Sequence, residues 1–280
     1  MTDAKRVVVT GLGCVTPVGN DVQTFWDSLV AGRHGFGPIT RFDTSGMKGK
    51  IAAEVKDFAP EDYVPKSDIR KTDRHQLFAI AAAAQAMKDS GIDGVVAPER
   101  LGVYIGSGIG GLDTLVAQTD VMRAKGPDRV SPFMVTMMIA NMASALVAIK
   151  WNAKGVNLPV VSACATATHA IGEAFRAIKH GYADAILAGA AESCINPLGI
   201  GGFTSAQALS TVDDPDNASI PLISGVTALL WEKGQGFCCW NPMNMPKPEA
   251  QKFTAKSKVT AIHAMPTTLQ RLIRRRKVRR

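Results

Sequence analysis

Four short runs rich in β-branched or other apolar residues mark the chain, at 6–10, 101–105, 158–162 and 185–188. Each leads into glycine or other small residues, as buried strands do where they feed turns. Helical patterns lie between them. Residues 76–90 are rich in alanine and are closed by Gly91, a C-cap residue. Residues 131–150 open on Ser131-Pro132, a capping side chain followed by a first-turn proline. Residues 165–180 repeat apolar side chains at Ala167, Ile171, Ala174, Phe175 and Ile178 and stop before Gly181. Strands alternating with helices predict an α/β protein whose mostly parallel sheet is covered on both faces. No tandem repeat or low-complexity linker interrupts residues 1–221. From Leu222 the periodicity fades, and the chain ends in Arg274-Arg275-Arg276-Lys277-Val278-Arg279-Arg280.

A chain of 280 residues can bury one large core or two modest ones. Hydrophobic residues make up 46% and charged residues 20%, which excludes general disorder. The most apolar stretch, 133–149, is interrupted by Thr136, Asn141 and Ser144 and reads as a buried helix, not as a membrane span. The formal net charge of +8 is unevenly placed. Twelve Lys/Arg and only Glu232 and Glu249 follow Pro221, which leaves 20 basic and 22 acidic residues for positions 1–221. A nucleic-acid reading of the basicity therefore rests on residues 222–280 alone. Five cysteines, at 14, 164, 194, 238 and 239, have no ligand-like spacing and no even count. They favour a reducing compartment over a disulfide framework, and no metal site or cofactor is expected. The N-terminus enters a strand pattern with no signal peptide, so the expected location is cytoplasmic, away from any membrane.

The segment Val160-Val161-Ser162-Ala163-Cys164-Ala165-Thr166-Ala167 carries the clearest chemistry. An apolar run delivers Cys164 to a turn, and a helix begins at once. Such a corner sets the sulfur over free N–H groups and the positive end of a helix dipole, which favour a thiolate nucleophile. The same amides can hold an oxyanion. Pattern alone leaves a second reading open, a small buried cysteine in a tight turn.

The run from Val161 to Gly172 closely resembles the active-site segment of type II β-ketoacyl-[acyl-carrier-protein] synthases. So do Val9-Thr10-Gly11-Leu12-Gly13-Cys14-Val15-Thr16-Pro17, Gly106-Ser107-Gly108-Ile109-Gly110-Gly111, and Gly201-Gly202-Phe203 with Ala208-Leu209-Ser210-Thr211. The resemblance extends over about residues 7–221. It implies the N-terminal half of a thiolase-like layered αβα fold, a homodimer and an acyl carrier protein as partner. It also implies an acyltransferase of fatty-acid biosynthesis: Cys164 takes an acyl chain, two histidines support decarboxylation of a malonyl thioester, and the carbanion attacks the acyl-Cys. By the same resemblance Ile109 and Phe203 line the acyl pocket. Phe133 and Met134, in Ser131-Pro132-Phe133-Met134, look like the dimer segment bordering the partner's pocket. Lys66, Arg70, Lys71 and Arg129 match basic docking positions for the acidic carrier protein. Gln207 stands where relatives often have Arg, which weakens that match. His169, five residues after Cys164 and more than 100° around the helix, belongs to the family pattern but is not one of its two catalytic histidines. His34, His75 and His180 read as surface or packing residues. Gly11-Leu12-Gly13 suggests a dinucleotide fingerprint only weakly, since Thr16 replaces the third glycine.

After Pro221 the resemblance stops. With one base restored before Leu222, codons for 222–236 can spell Phe-Asp-Lys-Arg-Arg-Asp-Gly-Phe-Val-Met-Gly-Glu-Gly-Ala-Gly, the glycine-rich strand of the family. A histidine motif follows in that frame across the codons of Thr267 and Thr268. Residues 222–280 are thus expected to be an irregular, basic, out-of-frame stretch lacking the catalytic histidines, which would leave condensation close to absent. Two other functions remain: a non-catalytic subunit of a condensing heterodimer, which typically lacks the nucleophile present here, and a nucleic-acid-binding chain, supported only by the basic end.

Overall fold

The structure is a computed structural model, and it describes residues 6–218 together with the strand at 235–242. In chain order the strands are β1 (Val7–Val15), β2 (Phe36–Pro38), β3 (Ile51–Ala53), β4 (Leu101–Gly106), β5 (Ala185–Ala190) and β6 (Gln235–Pro242). The helices are α1 (Val22–Val30), α2 (Lys66–Ile69), α3 (Arg74–Ser90), α4 (Leu112–Lys125), α5 (Met134–Met138), α6 (Met142–Lys150), α7 (Thr166–Lys179) and α8 (Pro197–Ser205).

Helix α3 forms where its sequence supplies both ends. The Asp73 carboxylate accepts from the His75 N–H while the Gln76 side chain accepts from the Asp73 N–H, a capping box. Gly91 ends the helix with φ of 63°, a left-handed conformation that glycine adopts without a Cβ clash. The alanines let α3 lie close on β1: a Cβ at Gly13 would sit 2.0 Å from the Ala82 carbonyl oxygen. This explains the glycines of Gly11-Leu12-Gly13, which lie inside β1 and not in a phosphate-binding turn. Along β1, the Leu12 and Cys14 N–H groups donate to Asp89 and Gln85 of α3, so helix side chains satisfy backbone donors that the sheet leaves open.

The main sheet has the order β1-β6-β5-β4, with β2 and β3 forming a separate hairpin-like pair. Only β4 and β5 pair in parallel; β6 runs antiparallel to both its neighbours, so β1, β4 and β5 point the same way. Alternation along the strands divides the core. Leu101, Val103, Ile105, Ala185 and Leu187 face α3 and α6, while Tyr104, Ile186 and Ala188 face Ala170, Ala174, Ala177 and Ile178 of α7. The result is the expected αβα layering.

Three elements differ from the sequence expectation. Residues 158–162 form no strand: Val156 O and Leu158 N–H bond to Val103 of β4, and the run of bonds ends where Pro159 lacks a donor. The single helix expected over 131–150 is two helices, because its mid-point carbonyls serve other partners. Gln76 takes the Thr136 and Met137 oxygens and the Gly111 N–H takes that of Met138. Nor is this segment buried throughout, since Val135 and Ile149 are exposed. Finally, β6 lies within the stretch expected to be irregular. The remaining readings after residue 221, including residues 222–234 of the frame-shifted run, Thr267, Thr268 and the arginine-rich end, fall outside the described residues.

Candidate functional site

Cys164 sits in a single 3-10 turn, Ala163–Ala165, that runs straight into α7. It is exposed, whereas Cys14 and Cys194 are buried. Ala163 takes φ of 50°, a left-handed backbone that costs a residue with a Cβ on the order of 1 kcal/mol. No side chain caps the first turn of α7, which leaves its amide dipoles directed at the corner.

Local bonds hold this strained corner. The Ser162 N–H donates to Thr166 Oγ1 at 2.9 Å, and the Ala165 N–H to the Ser162 carbonyl at 3.1 Å. Ser162 Oγ lies 2.7 Å from His169 Nδ1, so His169 braces the turn from one helical turn away. Behind the corner, β4 ends at Gly106, where a Cβ would lie 1.9 Å from the Val160 oxygen. Only glycine admits the approach. The glycine loop after β4 then crosses to α5: the Gly111 N–H bonds the Met138 oxygen at 2.8 Å.

Of the pocket residues expected from sequence, Ile109 lies on this glycine loop and is 42% exposed, and Phe133 and Met134 begin α5, which the loop contacts through Met138. Phe203 projects from α8, a separate element. Lys66, Arg70 and Lys71 are exposed on and just after α2, and Arg129 is exposed on the 3-10 turn Pro127–Arg129. The Lys71 ammonium stands 5.6 Å from the centroid of the Phe133 ring, which brings α2 alongside the segment next to Arg129. Gln207 is exposed with φ of 57°.

The two buried thiols cannot compete with Cys164. Burial, aided by the Asp21 carboxylate, pushes the Cys14 thiol up to about 11. Burial and Glu192 push Cys194 higher still. Two features went unread in the sequence. One is Glu192, whose carboxylate gathers backbone N–H groups from the glycine loop. The other is the buried Asp73, bonded to Thr114 Oγ1 at 2.6 Å and to His75 Nδ1 at 2.9 Å. Thr114 for Asp73 and the glycine-loop amides for Glu192 come from distant parts of the chain, and the only signal for Glu192 was a lone charge between Asp184 and Asp213. Among the described residues, no cluster of His, Cys, Asp and Glu could hold a metal. No described helix is long and apolar enough to cross a membrane.

Residues 4–227 match the family described as β-ketoacyl synthase, N-terminal domain. The 3-oxoacyl-[acyl-carrier-protein] synthase 2 of Synechocystis sp. (strain ATCC 27184 / PCC 6803 / Kazusa) is 46% identical over 236 residues, which cover 84% of this chain and 57% of that protein. The protein of the same name from Coxiella burnetii is 47% identical, covering 83% and 55%. The chain thus spans a little over half the length of these relatives. Among solved structures, a β-ketoacyl synthase from Burkholderia phymatum STM815 superimposes with a TM-score of 0.76 at 28% identity, over 85% of this chain and 59% of that one. The ishigamide ketosynthase/chain length factor does so with the same TM-score at 27% identity, over 86% and 59%.

Proposed function

The chain belongs to the β-ketoacyl synthase family, and on that premise we propose that it performs the acyl-accepting step of a 3-oxoacyl-[acyl-carrier-protein] synthase in fatty-acid biosynthesis. The Cys164 thiolate attacks the carbonyl carbon of an acyl thioester on the carrier protein. A sulfur–carbon bond forms at Cys164, the bond to the carrier's sulfur breaks, and that sulfur leaves as a thiolate and takes up a proton. Main-chain amides at the start of α7 supply the stabilisation of the tetrahedral oxyanion. In a complete synthase, condensation then follows when a malonyl thioester loses carbon dioxide and its carbanion attacks the acyl-Cys; this chain, read as lacking the two histidines that support decarboxylation, stops at or close to the acyl-Cys. The observation that carries this reading is the exposed Cys164 on a braced, left-handed corner at a helix start.

In this reading Ile109, Phe203, Phe133 and Met134 border the acyl chain. Lys66, Arg70, Lys71 and Arg129 steer the acidic carrier protein, and the chain works in the cytoplasm without a cofactor. A homodimer is supported by exposed apolar side chains, Leu158 and Val161 just before the corner and Phe133 and Val135 at the start of α5. Residues 222–236 are read as out of frame, and sequencing the gene across codon 222 tests this: a gene with no lost base defeats it.

The ketosynthase/chain length factor among the structural neighbours favours one competing reading, a non-catalytic subunit of a condensing pair. Cys164 separates the two. Incubation with acyl-carrier protein should release free carrier protein with a burst close to one equivalent per chain, and adding malonyl-carrier protein reports any 3-oxoacyl product. No burst would favour the non-catalytic reading.

A further inference from the structure

Glu192 is the only charged residue between Asp184 and Asp213, and both its carboxylate oxygens are engaged. Oε2 accepts from the Gly108 N–H at 2.9 Å and the Ile109 N–H at 3.1 Å. Oε1 accepts from the Ser193 N–H at 3.1 Å, the Cys194 thiol at 2.8 Å and the Ser107 hydroxyl at 3.4 Å. The next two loop amides are taken as well, Gly110 by Ser107 Oγ at 3.0 Å and Gly111 by the Met138 oxygen. Every N–H from 108 to 111 is therefore pinned, and the two nearest Ile109 are pinned by one negative charge. Bonds to an ionised acceptor are about twice as strong as neutral ones.

The loop is also wedged. A Cβ at Gly108 would lie 3.0 Å from Glu192 Oε2 and 3.6 Å from the Cα of Ala163, the residue before Cys164. Ile109 itself is 42% exposed, so packing of its side chain does not fix it; its backbone does.

We propose that Glu192 is a positioning residue that fixes the backbone of Gly108, which lies close to Ala163, and of Ile109 beside it, and so sets which acyl-chain lengths Cys164 accepts. The inference rests on the acyl-transfer reading above. Without the carboxylate, the Gly108 and Ile109 amides lose their acceptor, the loop gains freedom, and Ile109 loses its fixed place relative to Cys164.

The test uses the full chain, its E192A and E192Q variants, and acyl-carrier-protein thioesters graded from short to long. Mass spectrometry follows the rate of Cys164 acylation at each length. In E192A the ratio of long-chain to short-chain rates should change by about tenfold, through the substrate concentration at half-saturation more than through the maximal rate. E192Q keeps one acceptor oxygen and should fall between E192A and the parent; if E192A does not fold, E192Q must still shift in the same sense. Iodoacetamide, too small to sense Ile109, reports whether the corner itself is intact. An unaltered length profile in both variants would overturn the inference. So would parallel loss of iodoacetamide reactivity, which would make Glu192 a structural support of the corner. Absence of acylation of the parent chain at every length would overturn the acyl-transfer reading and this inference with it.

Discussion

At the scale of single residues, exposure and charge decide which thiol reacts. Cys14, raised to about 11 by burial and by Asp21, is thiolate in only about one molecule per thousand at pH 8. Cys194 is shielded further by its bond to Glu192. Iodoacetamide should therefore label the Cys164 peptide at least about a hundredfold faster than the peptides of Cys14 and Cys194, by quantitative mass spectrometry of the folded chain. Comparable rates for the three would contradict the corner geometry. Asp73 makes a second prediction. Burial opposes its charge, but bonds from His75 and Thr114 and the attraction of His75 outweigh burial and hold its carboxyl below the usual range. A depressed folded value stabilises the fold above the unfolded carboxylate range and is lost as pH falls through it, so acid unfolding should steepen below about pH 4. The D73A variant should lose about 2–4 kcal/mol at neutral pH, since a helix cap and buried partners go unsatisfied, and it should show a flatter acid limb by circular dichroism. The turn and helix start that carry Cys164 were legible in sequence because their signals are contiguous, although the strand read before them at 158–162 does not form. Asp73 and Glu192 were not, since their chemistry is made by contacts 41 and more than 80 residues away.

At the scale of elements, short periodic segments with their own caps were read correctly, and errors arose where a neighbour overrode local preference. Helix α3 carries its capping box and its terminal glycine within its own sequence, so its limits could be read to within a few residues. Helix α5 ends where it does because Gln76 and Gly111 claim its carbonyl oxygens, which no local pattern announces. Residues 158–162 look like a strand by composition, yet Pro159 stops the pairing and releases the chain toward the corner. The close packing of α3 on β1 gives a test at this scale. In the G13A variant a methyl group would meet the Ala82 carbonyl at 2.0 Å, and the overpacking should cost about 1–3 kcal/mol. Thermal unfolding should show a drop of several degrees, whereas alanine at the open Gly172 of α7, where a Cβ meets nothing within 4 Å, should raise stability slightly. Equal effects at the two sites would deny that α3 rests on β1 this closely.

At the scale of the whole molecule, the alternation of strands and helices foretold the αβα layers but not the strand order, in which β6 separates β1 from β5. Order depends on which edges meet, and periodicity does not encode it. Net charge was legible in its distribution: residues 1–221 are nearly neutral, yet β6, from the stretch after them, lies between β1 and β5 in the main sheet. What the surface adds is exposed apolar side chains in the stretch leading to the corner, Leu158 and Val161, the latter 58% exposed. The chain should associate at micromolar concentration, and V161D should shift it toward monomer in light scattering with little change in unfolding temperature, because an exposed side chain contributes little to the fold. The claim to which these layers, loops and borders lead is that Cys164 becomes covalently acylated. Its most direct measurement is peptide mapping after incubation with an acyl-carrier-protein thioester. The account predicts an acyl adduct on the Cys164 peptide that is absent from the C164A variant; an adduct on another residue, or none on the folded parent chain, would contradict it.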